Sequence, residues 1–323
     1  MVTIFLQPLA ALQNPNRGHL ELRKFLANSL IFTILALAGA IHAAAQQTLP
    51  VTPLSEAEIR ERTKKVIAHQ HANDEILDKY ERIERHVDRT GGENPHILED
   101  KLFRIVPTGP GTMKILLKNN GQRTDPAEYR KQLLAWKSTL EIVLKPNDSR
   151  TKVAYAKAEK KKRDRADLVN AMPDAFTPRL VGRELLNGHD CDILELNPNP
   201  DFHPRTTFQE ALTHATVKVW IDRNELQLVR GEAHITRDVS FGAGILGKLY
   251  RGGVFFLEQE EVAPGVWLPR RYQYDISARK FLFSFEEHQL IEVSHYHFVG
   301  SPQQALALVK DEIANDKDIP ADP

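Results

Sequence analysis

Between Ala215 and Val299, short runs rich in Val, Ile, Phe, Tyr and Thr follow one another, separated by turn residues. Val217, Val219 and Ile221 alternate with Thr216, Lys218 and Trp220, and Asp222-Arg223-Asn224-Glu225 then turns the chain. Val229, Gly231, Ala233 and Ile235 alternate in the same way with Arg230, Glu232, His234 and Thr236. A period of two sends one set of side chains toward a core or cavity and the other toward water. Further runs cover Val254 to Val262, Trp267 to Ser277, Phe281 to Phe285 and Leu290 to Val299. Each connection is short enough for a hairpin, so the expected element is an antiparallel meander of five or six strands.

Upstream, Ser55 and Glu58 have the spacing of a capping box, and Leu54 with Ile59 the spacing of a hydrophobic staple. Ile59, Thr63, Val66, Ile67 and Gln70 then draw a thin apolar stripe along a charged helix. A stripe that narrow lies on a surface, here as a lid or brace over the sheet. Tyr80 to Arg89 and His96 to Val106 flank the loop Thr90 to Pro95 and read as a hairpin, followed by a strand from Met113 to Lys118. Asn119-Asn120-Gly121 closes that strand. Asp125 and Pro126 start a helix whose apolar face includes Leu133, Trp136 and Leu140. Lys152 to Met172 is dense in charge, and Pro173 and Pro178 are expected to end it. Such a helix either meets anionic lipid headgroups or is solvated and braced by pairs such as Glu159 with Arg163. Its opposite face is too polar for membrane insertion, which favours the solvated reading. Phe176 to Leu186, Asn187-Gly188 and Asp190 to Leu196 form a further hairpin. A proline-containing loop to Arg205 and a short helix from Thr207 to Leu212 lead into the meander. Ser301-Pro302 starts a last helix ending near Ala314.

Charge excludes one class of partner. Three of the 43 basic and one of the 43 acidic residues lie in positions 1–45, so the remainder carries 40 against 42. A chain so near neutrality is unsuited to nucleic acid, whose binding is driven by phosphate neutralisation. Arg23-Lys24, the apolar run Phe25 to Ala40 and the small residues up to Ala45 read as a secretory signal peptide cut after Ala45. That predicts a periplasmic protein. The expected organisation is a signal peptide over 1–45 and one domain over 46–300 with a charged helical insertion at about 125–172. A helix and tail over 301–323 complete it. The lone Cys191 stands in an alternating run and reads as a half-buried strand thiol rather than a nucleophile.

Gly242 to Gly247 matches G-x-G-x-x-G, but strand-like residues follow where a dinucleotide site needs a helix. His295 and His297 share a strand face without a third ligand nearby, so no metal is assigned. No catalytic constellation can be assembled and no cofactor is implied. The aromatic set is more telling: Phe281, Phe283 and Phe285, then Tyr272 and Tyr274, with Phe256 on a neighbouring strand. The helices carry few broad apolar faces, while the sheet has much apolar surface to cover. Either a solid core or a partly filled concave hollow follows, the latter being the usual form of an acyl-chain site.

Val217-Lys-Val-Trp-Ile-Asp222, Leu226-Gln-Leu-Val-Arg-Gly-Glu-Ala-His234 and Gly265-Val-Trp-Leu-Pro269 resemble strands of exported proteins similar to the outer-membrane lipoprotein-sorting (Lol carrier-like) superfamily. The likeness covers residues 176 to 299 and extends to 55–175 by architecture. It implies an α+β fold, a strongly curved, open antiparallel half-barrel with covering helices, and an acylated ligand held inside. The charged helical insertion departs from that pattern, and no carrier residue controlling uptake and release can be matched here. The candidate lining is Val217, Val219, Ile221, Val229, Ile235, Phe256, Tyr272, Tyr274, Phe281, Phe283 and Phe285. The expected partners are a lipid or acylated protein and an envelope protein, with peripheral membrane contact. An exported scaffold module without a small ligand is the alternative. Amino-terminal sequencing of the exported protein is expected to start at Gln46; retention of Arg23 and Lys24 would show an uncleaved anchor.

Overall fold

The computed structural model describes residues 55–241, 247–281 and 283–315. The leader, Leu54 of the staple, residues 242–246 of the glycine run and the tail beyond Asn315 lie outside them. In chain order the elements are α1 (Glu56–Leu77), β1 (Tyr80–Arg89), β2 (Ile97–Pro107), β3 (Thr112–Asn119), β4 (Gln122–Arg123), α2 (Pro126–Val143) and α3 (Ser149–Ala175). Then come β5 (Phe176–Leu186), β6 (His189–Pro198), α4 (Thr207–Leu212), β7 (Ala215–Asp222), β8 (Leu228–Ile235), β9 (Val239–Phe241) and β10 (Gly247–Leu249). Finally come β11 (Val254–Ala263), β12 (Val266–Lys280), β13 (Phe283–Phe298) and α5 (Pro302–Ala314).

All pairings are antiparallel, in the order β4-β3-β2-β1-β13-β12-β11-β8-β7-β6-β5, with the β9–β10 hairpin attached to β12. The ends β4 and β5 do not meet, so the fold is α+β with an open half-barrel sheet. Bulges interrupt the register at His295 and Tyr296 in β13, which together oppose Arg82 of β1, at Val181 in β5 and at Val229 in β8. Each adds local twist, which is how a sheet of this width curves.

The meander reading holds for β7, β8, β11, β12 and β13, except that β9 and β10 lie between β8 and β11, where a short connection was expected. Phe281–Phe285 and Leu290–Val299 are not separate strands: β13 is continuous from Phe283, and Phe281 sits in a two-residue connection. Residues 122–123 also supply a short return strand after the Asn120-Gly121 turn. Pro173 does not end α3, which continues to Ala175; the proline falls in the last turn, where few ladder bonds remain to be lost, and the Phe176 amide closes onto the Met172 carbonyl. Ser55 and Ser301 both cap as their spacing predicts, each within a complete capping box.

The helices divide between the two faces. α1, α3 and α4 cover the inner face of β5–β8 and β11–β12, where Val66, Ile67, Leu168, Val169 and Leu212 pack on Val217, Val219, Phe255 and Ile276. α2 and α5 cover the outer face of β1–β3, with Leu133, Trp136 and Val309 against Ile83, Val106 and Ile115. The charged α3 is braced from outside and inside: Lys160 pairs with Asp164 along the helix, and Arg165 reaches Asp74 of α1.

The inner face of β1 is polar and buried. Arg82 donates to Glu84 at 2.9 Å and the His86 ring donates to the same carboxylate at 2.8 Å. Burial alone would raise the Glu84 carboxyl, but the Arg82 guanidinium and the His86 hydrogen bond hold it down at about 2, against an ordinary 4.5. A carboxyl depressed on folding contributes stability above its unfolded pKa, and that contribution disappears as pH falls through the folded value. Glu84→Gln is therefore expected to lower stability by about 3 kcal/mol near neutrality, because Arg82 is left buried without its partner. Urea denaturation should show the wild type losing that advantage between pH 4.5 and about 2; equal stability of the two proteins at neutral pH would refute the role.

Candidate functional site

α1 is laid on the sheet by polar contacts more than by apolar ones. Arg62 donates to Asp192 of β6 at 2.9 Å, and the His69 ring lies 3.2 Å from the Leu226 carbonyl. The buried Asn73 donates to Gln227 at 3.0 Å and accepts from the Trp267 amide at 3.1 Å. Residues 62, 69 and 73 fall on one line of a helix with 3.6 residues per turn. The stripe Ile59, Thr63, Val66, Ile67 and Gln70 falls beside that line and faces a hollow.

The hollow has a volume of about 320 Å³ and lies between α1, the end of α3 and strands β5 to β8. Its floor is apolar: Leu194 on β6, Val219 and Ile221 on β7, Leu228 on β8, and Phe176 where α3 passes into β5. Val169 and Met172 form the α3 wall. The exposed Arg60, Pro173 and Thr177 stand at the mouth. Asn199 fixes that rim, its amide bonded to the Ala175 carbonyl at 2.8 Å and its side chain to the Asp174 carbonyl at 2.9 Å.

Two polar groups on α1 border the space. The Thr63 hydroxyl is occupied by the Ile59 carbonyl at 2.8 Å. Gln70 gives its NH₂ to Asp74 at 3.4 Å, while its buried carbonyl oxygen has no hydrogen-bond partner among the described residues. A ligand donor could satisfy that oxygen. Arg60, which has no ion-pair partner among the described residues, offers a cation at the entrance. Nothing here can act as nucleophile and base together. No described helix is long and apolar enough to cross a membrane.

The residues expected from the alternation separate into four groups. Val219 and Ile221 form the floor. Val217, Ile235, Tyr272, Tyr274 and Phe285 share that inner cluster but lie away from the hollow, and the Tyr274 hydroxyl is taken up by Gln289 at 2.7 Å. Val229 and Phe256 face outward. Trp220 pairs with Arg230 while Ile221 pairs with Leu228, so Val229 is the extra residue of a bulge. It joins Trp220 and Trp267 on the outer face, and Leu228 takes the inner position. On β11 the inner residue is Phe255, and Phe256 lies between the Arg230 and Arg271 guanidiniums at 5.4 and 5.3 Å. Phe281 and Phe283 are exposed at a hairpin tip. Leu194 and Phe176 were legible as strand residues but not as lining.

Cys191 packs in the outer cluster, fully buried beside Trp220 and Val229. Burial and the neighbouring Asp222 and Asp190 push its thiol up to about 12. Iodoacetamide at mildly alkaline pH is expected to leave the folded protein unmodified and to alkylate it fully in urea; rapid alkylation of the native state would contradict this burial.

No family model matches the chain, and no curated protein matches it. Among solved structures it is similar to a protein domain from Vibrio parahaemolyticus named for outer membrane lipoprotein sorting. Identity there is 11%, with a TM-score of 0.30, covering 77% of this chain and 99% of that one. It is similar to a LolA superfamily protein from Nitrosomonas europaea at 12% identity and a TM-score of 0.30, covering 76% and 96%. It is also similar to a DUF1329 family protein from Desulfovibrio piger at 10% identity and a TM-score of 0.26, covering 73% and 93%. One of these structures carries the superfamily name that the strand segments suggested.

Proposed function

We propose that the protein is a non-enzymatic binding or carrier protein of the periplasm. Its ligand is an amphipathic molecule, a lipid or an acylated protein, with one acyl chain in the hollow and its polar head at the mouth. The supporting observation is the apolar hollow of about 320 Å³ under α1, open beside Arg60. That volume lies at the small end of the range for ligand pockets. Each methylene buried there contributes about 0.8 kcal/mol, so a chain is held without any catalytic group. Arg60 suits an anionic head, and the Gln70 oxygen suits a donor such as a hydroxyl or amide. A scaffold role through strand addition is less favoured, because the long free edge β5 carries Pro178 and the Val181 bulge, both of which interrupt pairing.

Protein recovered from the periplasm is expected to carry a lipid detectable by native mass spectrometry, and delipidated protein should take up a fluorescent fatty acid. Val219→Phe narrows the floor and should weaken uptake about tenfold, equivalent to about 1.4 kcal/mol. Arg60→Glu should weaken a fatty acid more than the matching fatty alcohol. Ligand-free protein in every preparation together with no uptake would end the carrier reading.

A further inference from the structure

The inner apolar cluster does not stop at the edge of the sheet. Phe285 packs on it, but Phe283, two residues further out, is 78% exposed, and Phe281 at the turn is 51% exposed. Both stand on the β12–β13 hairpin, whose strands are the longest of the described sheet. β11 pairs with β12 no further than Asp275, and β1 pairs with β13 no further than Gln289. Beyond those points, among the described residues, only the short β10 pairs with the hairpin, through Ala278 to Lys280, so its end overhangs the described neighbouring strands.

The turn itself is telling. Two other two-residue connections in the sheet place an asparagine and then a glycine in the left-handed region, Asn120-Gly121 and Asn187-Gly188. Here Phe281 takes the first position at φ 52°. A phenylalanine is unfavourable in that conformation, and this one gains little burial in return. Folding alone does not account for it. At the tip Lys280 is the cross-strand partner of Phe283, Arg279 stands next to it on the opposite face with Lys248 as its partner, and Glu286 and Glu287 lie further back, opposite Ser277 and Ile276. Lys248 is paired with Asp238 at 2.7 Å, and Asp238 also accepts from the Arg251 amide at 2.8 Å.

We propose that this hairpin end docks on an anionic lipid bilayer, with Phe281 and Phe283 entering the headgroup region and the surrounding bases meeting lipid phosphates. Exposed rings flanked by long cationic side chains suit that interface, where the rings are partly withdrawn from water while the charges stay hydrated. The docking does not depend on the hollow being a ligand site.

The test uses the chain from Gln46 onward, which carries every described element, in flotation with phosphatidylcholine vesicles with and without phosphatidylglycerol. The protein is expected to float with the phosphatidylglycerol vesicles. The double substitution Phe281→Ser and Phe283→Ser should lower that partition about tenfold without changing the thermal midpoint. Val219→Phe should leave it unchanged, which separates docking at the tip from lipid taken into the hollow. A Phe283→Trp variant should have its emission quenched by brominated acyl chains. Absence of flotation, or flotation unaffected by the double substitution, would overturn the proposal. So would a concentration-dependent dimer that the double substitution abolishes, since the tip would then bind a second copy.

Discussion

The structure depends on how α1 is attached. A helix with a broad apolar face sinks onto a sheet until side chains interdigitate and no space remains. α1 has no such face. It is fixed by directional bonds from Arg62, His69 and Asn73 to Asp192, the Leu226 carbonyl, Gln227 and the Trp267 amide. Such contacts set a separation as well as an attraction, because each is satisfied only at hydrogen-bonding distance. The thin stripe beside them is held over apolar strands without closing on them. The hollow is therefore a consequence of which residues anchor the lid.

The opposite face is organised by the same means with a different outcome. Arg104 on β2 donates to both oxygens of Glu312 on α5, to Glu81 on β1 and to the Tyr129 hydroxyl on α2. Burial would make the guanidinium easier to deprotonate, yet the bonds to Glu312 and Glu81 outweigh it and raise its pKa. A buried charge left short of partners is strongly destabilising, so this arrangement restricts where α2 and α5 can sit. Here the polar pins come with broad apolar faces, Trp136, Leu133 and Leu140 on α2 and Ala305 and Val309 on α5, and the interface closes. The contrast between the two faces shows that anchoring decides position while apolar width decides whether a cavity survives.

Much of this was legible in the chain because the relevant signals are local. Caps at Ser55, Asp125 and Ser301, the Asn-Gly turns and the alternation of β7 depend on residues within a few positions of one another. The α1 stripe was legible for the same reason, and it correctly suggested a cover over the sheet. What failed was parity. One inserted residue exchanges the faces of everything on one side of it, and nothing in Leu228-Val229-Arg230 shows which residue will be extra. Phe255 and Phe256 are adjacent, so their faces depend on register with β8 and β12 and not on composition. Phe281 was read as strand because aromatic residues favour strands, whereas its left-handed backbone is imposed by the pairing of Lys280 with Phe283. The floor residues contributed by β6 could not be seen to join β7 until the sheet order was known.

Sheet register also relates the two apolar openings. Cross-strand partners lead from Pro178 through Leu196, Val217, Ala233 and Phe255 to Tyr274. From that row the mouth residues Phe176 and Thr177 and the tip residues Lys280 and Phe283 depart in the same direction along alternating strands. The mouth and the aromatic tip thus lie toward the same end of the sheet, separated across it by β6, β7, β8 and β11. An open half-barrel has no wall between its edge strand and solvent at that end, so a chain resting on a bilayer through β12–β13 would turn the β5 side of its hollow toward the lipid. The α1 anchors lie along the hollow's other flank, on β6, in the β7–β8 turn and at the start of β12. Uptake and docking would then be two uses of one asymmetry, the unequal cover on the two ends of the inner face.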